Sequence, residues 1–252
     1  MQPVHRTLDI LEVIAESRSS LSLAEISQSL SLSASTVHRF MADLEQRGFV
    51  VRNKKRRYLM GPAVRALLSN TPSQQVREAA APILRKLVRQ HGETTFLAEM
   101  SGSSVVCIEF FEGTRSLRHH VQVGTTLPLN AASSARAILS LLPESEIDDI
   151  LENAHLEQFT ARTITSPEIL KSHLEGTRKL GYDVCDDEME NFTWAVSTPL
   201  FDSEGPIPFA ITIVAPLSSM QSADRRDELI ASAQAASKSV SQELGASELA
   251  QS

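Results

Sequence analysis

Apolar positions in the first sixty residues recur at helical spacing in three short segments, then give way to two strand-like triplets. Val4, Leu8, Leu11 and Ala15 share one face of a segment from Val4 to Ala15 and predict an amphipathic helix. Ser22 to Leu30 repeats the pattern with Leu23, Ile26 and Leu30. It opens on Ser22 and Glu25, a capping box in which each side chain meets the other residue's free backbone N–H. Ser31-Leu32-Ser33 is a turn, with Leu32 its apolar pin and Ser33 the expected N-cap of a third helix, from Ala34 to about Arg47. Val37, Phe40, Met41 and Leu44 form the buried stripe of that helix, and Gly48 supplies a left-handed C-terminal residue. Phe49 to Val51 and Tyr58 to Met60 then read as paired strands. Their tip runs from Arg52 to Arg57, where five of six residues are Arg or Lys. Helices, a tight turn and a charged hairpin predict a winged helix-turn-helix, a shape that docks on duplex DNA.

Beyond Gly61-Pro62 the pattern predicts a short helix from Ala63 to Ser69 and a joint at 70–73. Gln74 to Gln90 is a longer helical pattern, kinked or restarted by Pro82. Strand and helix signals then alternate. Residues 95–100 and 105–111 read as a hairpin about Gly102, and Leu117 to Val123 as a further strand. Helices are expected at Ala132 to Leu142, Glu144 to Glu152, Pro167 to Leu180 and Ala223 to Leu244. Strands are expected at Tyr182 to Cys185, Ala195 to Phe201 and Phe209 to Val214. These elements predict a two-domain α+β protein: a winged helix-turn-helix at 1–70, a linker helix at 71–92, and a domain at 93–252 with a central antiparallel sheet.

The net charge of −7 argues at first against nucleic acid. Its distribution argues the other way. Residues 1–70 hold ten Lys or Arg against six Asp or Glu, while 71–252 hold fourteen against twenty-five. A basic segment on an acidic body is the asymmetry of a nucleic-acid binder. No apolar run approaches the ~20 residues of a membrane span, and the first residues lack the features of a signal peptide. Cys107 and Cys185 have no zinc or disulfide spacing, so no metal or cofactor is expected and a cytoplasmic protein is the default.

The candidate DNA contacts follow. Ser33, Ser35, Thr36, His38 and Arg39 lie at the start of the third helix, on or beside its outward face. In this geometry such side chains reach base edges and phosphates in the major groove. Arg52, Lys54, Lys55, Arg56 and Arg57 are the wing's candidates for phosphate or minor-groove contact. On its own the helix face reads as merely solvated; the capping box, the pinned turn and the wing together point to DNA. No nucleophile elbow, P-loop, zinc-protease helix or dinucleotide turn supports an enzyme. A winged helix that binds protein instead is disfavoured by the basic tip.

The chain resembles the IclR family of transcriptional regulators. The resemblance rests on HRTLDILEVIAE, LSLAEISQSLSLSASTVHRFMADLEQRGFVVR and YLMGPAVRAL in the first half. In the second it rests on GTTLPLNAASSARAILS, GYDVCDDEMENFTWAVSTPLFDSEG and PFAITIVAP, and in all it covers nearly the whole chain. It implies a GAF- or PAS-like effector domain, assembly with itself as dimers or tetramers, operator DNA and a small-molecule effector as partners, and no membrane. A repressor is the expected sign. The resemblance also implies an effector pocket between the sheet and the helix that starts at Asn130 to Arg136. The free N–H groups of that helix suit an anion, and small residues at Ala132, Ser133 and Ser134 allow close approach, either of a ligand or of the sheet.

Four pocket positions depart from the family's carboxylate sensors. Cys185 stands where an Asp is common and Ala195 where a Cys is common. Of Thr212 and Val214, only Thr212 keeps a small hydroxyl. The pocket has lost polar handles, which disfavours a ligand that needs them. The expected effector is larger or less polar than a two- or three-carbon oxoacid: an aromatic or other less polar acid, or a derivative of one. Trp194 and Phe192 are candidates to wall it, although a single Trp on a strand is more often simply core. Of the adjacent pair His119-His120, whose side chains leave a strand on opposite faces and so hold no shared metal, His119 is placed at the pocket edge. The acidic run Asp183, Asp186, Asp187, Glu188 reads as a solvated turn.

Overall fold

A computed structural model describes residues 2–17, 19–68, 71–114 and 121–247. The chain divides into two compact units, 1–74 and 75–252.

The first unit contains α1 (Gln2–Glu16), α2 (Leu23–Ser29), α3 (Ala34–Gln46), β1 (Val50–Arg52), β2 (Tyr58–Met60) and α4 (Pro62–Leu68). Its core gathers Ile10, Ile14, Ile26, Val37, Met41, Leu44, Val50 and Tyr58. The capping box forms as its spacing predicts: the Ser22 amide donates to Glu25 Oε2 at 2.6 Å and the Glu25 amide to Ser22 Oγ at 3.3 Å. Ser33 caps α3 by accepting from the Thr36 amide.

The face of α1 differs from the expectation. Ile10 and Ile14 are buried, whereas Val4 and Leu8 are 66% and 50% exposed and Ala15 is exposed. Two apolar stripes lie side by side on this helix and share Leu11. Periodicity establishes that a stripe exists, not which of two neighbours meets the core. Gly61 answers a close approach rather than a simple strand break. Its amide donates to the Phe49 carbonyl at 2.7 Å, and a Cβ on it would lie 2.1 Å from the Gly48 carbonyl oxygen.

The second unit opens with α5 (Pro72–His91), which runs through Pro82 without a break. It continues with β3 (Thr94–Ser101), β4 (Ser104–Phe111), β5 (Thr126–Leu127), α6 (Ser133–Leu139), α7 (Glu144–Glu152) and α8 (Pro167–Leu180). It ends with β6 (Asp183–Asp186), β7 (Thr193–Phe201), β8 (Pro206–Pro216) and α9 (Ala223–Glu243). The strands form one antiparallel sheet in the order β5-β4-β3-β8-β7-β6.

Residue alternation on this sheet divides two cores. On one face Leu97, Val196, Ile211 and Ile213 pack with Leu84 and Leu87 of α5 and with Leu229 and Val240 of α9. On the other face Phe96, Ala98, Cys107, Cys185, Ala195 and Val214 meet Ala135 and Ile138 of α6. Helices α7 and α8 join α6 through Leu139, Ile147, Leu151, Leu170 and Leu174. Most of the strand expected at Leu117 to Val123, with His119, lies outside the described residues. Residues 121–123 are irregular, and the edge strand is β5. None of the helices described is long and apolar enough to cross a membrane.

Candidate DNA-reading surface and effector cavity

At the start of α3, Ser33, Ser35, His38 and Arg39 are exposed and Thr36 is half-buried. The Ser33 hydroxyl lies 2.8 Å from that of Thr36 and 3.1 Å from that of Ser35. Three hydroxyls thus form one polar edge, held by the cap that starts the helix. The Arg39 guanidinium rests 5.5 Å from the Phe40 ring centroid.

The wing is a tight turn built by Asn53, which composition alone does not single out. Its side-chain oxygen accepts from the amides of Lys55 and Arg57, and its amide group donates to Ser20 Oγ. Its carbonyl accepts from the Arg56 amide at 2.9 Å, and Arg56 takes a left-handed φ of 58°. This is the hairpin solution in which a type I turn is followed by one left-handed residue.

The five wing cations separate into two groups. Arg57 donates to both carboxylate oxygens of Glu25 and to the Ser20 carbonyl. Arg52 pairs with Glu45 at 3.4 Å and lies over the Tyr58 ring while bonding its hydroxyl. These two hold the wing against the helices. Lys54, Lys55 and Arg56 are exposed, with no ion pair among the described residues. Glu25 is the point where helix start and wing meet. The Ser22 backbone N–H, the Ser22 hydroxyl and Arg57 hold its carboxyl down at about 2.

In the second unit a cavity of about 40 Å³ lies between α6 and the sheet. It is lined by Ala132, Ser133, Ser134, Cys185, Ala195, Thr212 and Val214, joined by Phe96, Leu127, Met189 and Thr193 among others. Seven of the residues expected at an effector pocket therefore converge on one void. The eighth, Trp194, does not. It is 1% exposed and belongs to the opposite core, because Ala195 faces the cavity and the next side chain on a strand points away. Phe192 is 75% exposed, outside the lining. His119 lies outside the described residues.

The lining is mostly apolar. Burial pushes the Cys185 thiol up to about 11, so it presents an uncharged S–H. The polar groups are four hydroxyls and the Glu190 side chain. Ser133 Oγ is 2.8 Å from Ser197 Oγ, which is 2.8 Å from Thr212 Oγ1. Ser134 Oγ and Thr193 Oγ1 are buried with no hydrogen-bond partner. Helix α6 spans only seven residues, so the anion-binding dipole expected of it is small.

Beside the cavity lies Arg136, whose role the sequence pattern conceals within a run of small apolar residues. It is fully buried. It pairs with Asp183 at 2.8 Å and with Glu188, and donates to the carbonyls of Asn130 and Val184. Asp183 in turn accepts from Thr177 Oγ1 at 2.6 Å and lies 2.7 Å from His173 Nε2. The acidic run is therefore structural, not a solvated turn. Asp183 is buried, Glu188 is paired, and Asp186 pairs with Arg162 and Arg226. Burial works to raise the Asp183 pKa, but Arg136 and His173 hold it below the usual range. At Glu188 burial prevails over Arg136 and the pKa is raised.

A DNA-docking winged helix in one unit and a cavity in an antiparallel-sheet domain in the other define a ligand-responsive transcriptional regulator. Comparison with known proteins gives the family. The family model described as "IclR helix-turn-helix domain" matches residues 3–54, and that described as "Bacterial transcriptional regulator IclR C-terminal" matches 69–242. The acetate operon repressor of Salmonella typhimurium is 33% identical over 246 residues, covering 95% of this chain and 89% of that protein. The crystal structure of IclR from Thermotoga maritima superposes with a TM-score of 0.79 at 28% identity, covering 98% of this chain and 100% of that one. An IclR homolog from Microbacterium hydrocarbonoxydans, crystallised with 4-hydroxybenzoate, has a TM-score of 0.80 at 22% identity, covering 96% and 98%. The chain belongs to the IclR family of bacterial transcriptional regulators, and it is not an enzyme.

Proposed function

We propose that this regulator is a cytoplasmic repressor that releases operator DNA in response to a small organic metabolite bound between α6 and the sheet. The metabolite is larger or less polar than a two- or three-carbon oxoacid: an aromatic or other less polar acid, or a derivative of one. The observation that carries this reading is the lining itself. Cys185, Ala195 and Val214 converge as apolar wall, and the polar residues that join them are Ser133, Ser134, Thr193, Thr212 and Glu190. An IclR homolog of the same fold from Microbacterium hydrocarbonoxydans was crystallised with 4-hydroxybenzoate, which supports a guest of this type. Isothermal titration is the direct test. Tight binding of glyoxylate or pyruvate would contradict the assignment.

On the DNA side, Ser33, Ser35, Thr36, His38 and Arg39 read the major groove, and Lys54, Lys55 and Arg56 take phosphates. Arg52 and Arg57 act by holding the wing in place. Self-association is supported by Val4 and Leu8, an apolar pair left exposed on α1. A dimer presents two readers to two half-sites, and effector binding shifts the population that fits them. A mobility-shift titration on the chain's own upstream DNA tests this. Binding should weaken steeply with salt, and Arg39→Ala should weaken it further without changing effector affinity.

A further inference from the structure

The described part of the molecule contains three buried side-chain polar atoms without a hydrogen-bond partner, and two of them, Ser134 Oγ and Thr193 Oγ1, line the same cavity. Ser134 is 1% exposed and Thr193 is 7% exposed. An orphaned buried hydroxyl is a standing cost. Two in one void mark groups kept for a guest.

Their positions say more. Thr193, Ala195 and Ser197 alternate along β7, so all three face α6. Ser197 is fixed under Ser133 by the 2.8 Å contact between their hydroxyls, and Ser134 is the next residue on that helix. Thr193 lies four residues back along the strand from Ser197, about 13 Å between those two Cα atoms at strand rise. Between these ends the floor is Ala195 with its cross-strand neighbour Val214. The cavity is polar, then apolar, then polar.

We propose that the effector is two-ended. One oxygen- or nitrogen-bearing group hydrogen-bonds Ser134, a second hydrogen-bonds Thr193, and an apolar body of about one ring lies over Ala195 and Val214. The void of about 40 Å³ does not yet hold such a body, since a cavity that takes benzene measures about 150 Å³. Room comes from the segment that supplies Met189. It is closed by the Asp187 amide on the Thr193 carbonyl and bracketed by Asp187 at φ 65° and Phe192 at φ 67°. Left-handed non-glycine residues of this kind are strained, and they cluster at ligand clamps and switch regions. The inference rests on the cavity being the effector site, and its test separates the two.

The test is a thermal-shift and calorimetric series on the full chain. The probes are benzenes carrying hydroxyl, carboxylate, carboxamide or hydroxymethyl groups at both para ends, with their singly substituted counterparts. The best two-ended probe should bind at least tenfold more tightly than its one-ended partner. Thr193→Val and Ser134→Ala should each erase that advantage. In the free protein both replacements should leave the melting temperature unchanged or higher, because each removes an unpartnered hydroxyl. Equal binding of one- and two-ended probes, no binding across the series, or a fall of several degrees in both free variants would overturn the proposal. Ala195→Phe fills the floor. If probe binding vanishes in it while the two-ended preference is absent from wild type, the cavity stands as the site and only the two-ended ligand falls. If binding survives Ala195→Phe, the reading of the cavity itself falls.

Discussion

The reading surface and the cavity use polar groups in opposite ways. At the reader, hydroxyls and cations are exposed. All three described buried side-chain polar atoms without a partner lie in the second unit. In the cavity two buried hydroxyls have no protein partner, and the cation beside it, Arg136, is committed to two carboxylates. A surface that meets phosphate keeps water as its partner until DNA arrives. A buried group left without a partner bears a cost in the free protein.

The largest effect that bears on this contrast is expected at the buried pair. Asp183→Ala leaves Arg136 short of a partner in a dry site and should destabilise the second unit by about 3 kcal/mol or more in urea melts. A loss below about 1 kcal/mol would mean that water already reaches the guanidinium, and the contrast would fail. Next comes Gly61→Ala, whose added Cβ meets the Gly48 carbonyl. Overpacking of this kind costs about 1–3 kcal/mol. It should abolish DNA binding while the second unit's melt is preserved.

Ser22→Ala removes the reciprocal cap of α2 and should cost about 1 kcal/mol in the first unit. Changing Lys54, Lys55 and Arg56 together to Ala should leave stability within about 0.5 kcal/mol. It should flatten the dependence of log K on log salt by about 0.9 for each phosphate that the wing no longer neutralises. An unchanged slope would remove the wing tip from the interface.

The smallest effect is a pair of opposed pH trends. Glu25 titrates near 2 in the folded chain against an ordinary 4.5. Its contribution is complete above the ordinary value and is lost as pH falls from there toward 2. Glu188 is raised by burial, so its contribution falls as pH rises through its folded pKa. Glu25→Gln should flatten the acid limb of the first unit's stability, and Glu188→Gln should remove the opposite slope from the second. Slopes of the same sign would refute the assignment.

The reader was legible because its determinants are local. The Ser22–Glu25 box, the Ser33 cap and the Val37–Met41–Leu44 stripe each lie within one or two turns, and all three form as spacing predicts. What sequence could not resolve is what lies across a gap in the chain. Arg57 looks like another wing cation until Glu25, thirty-two residues earlier, is seen to hold it. Arg136 meets Asp183 and Glu188 forty-seven and fifty-two residues away.

In the cavity the small residues of α6 and the alternating positions of β6, β7 and β8 were recognisable as a set. The sequence leaves Trp194 open between cavity wall and core for a physical reason. Where both faces of a strand are buried, the sequence does not alternate between apolar and polar, so it gives no sign of which face each residue takes. Thr193 belongs to the same problem. Nothing in its neighbourhood separates it from an ordinary buried threonine until its hydroxyl is found unpaired.

The anchoring of Glu188 has a consequence for timing. Its carboxylate is tied to Arg136, and its carbonyl accepts from Thr163 Oγ1 at 2.6 Å. Met189, the next residue, already lines the cavity. On the proposal made above, entry of a ring-sized effector would wait on movement of this segment from a fixed end. Association should then be set by how often the segment opens rather than by how often molecules collide, as expected wherever binding requires a conformational change. In stopped-flow traces the observed rate should level off at high effector concentration, and Glu188→Gln should raise that plateau.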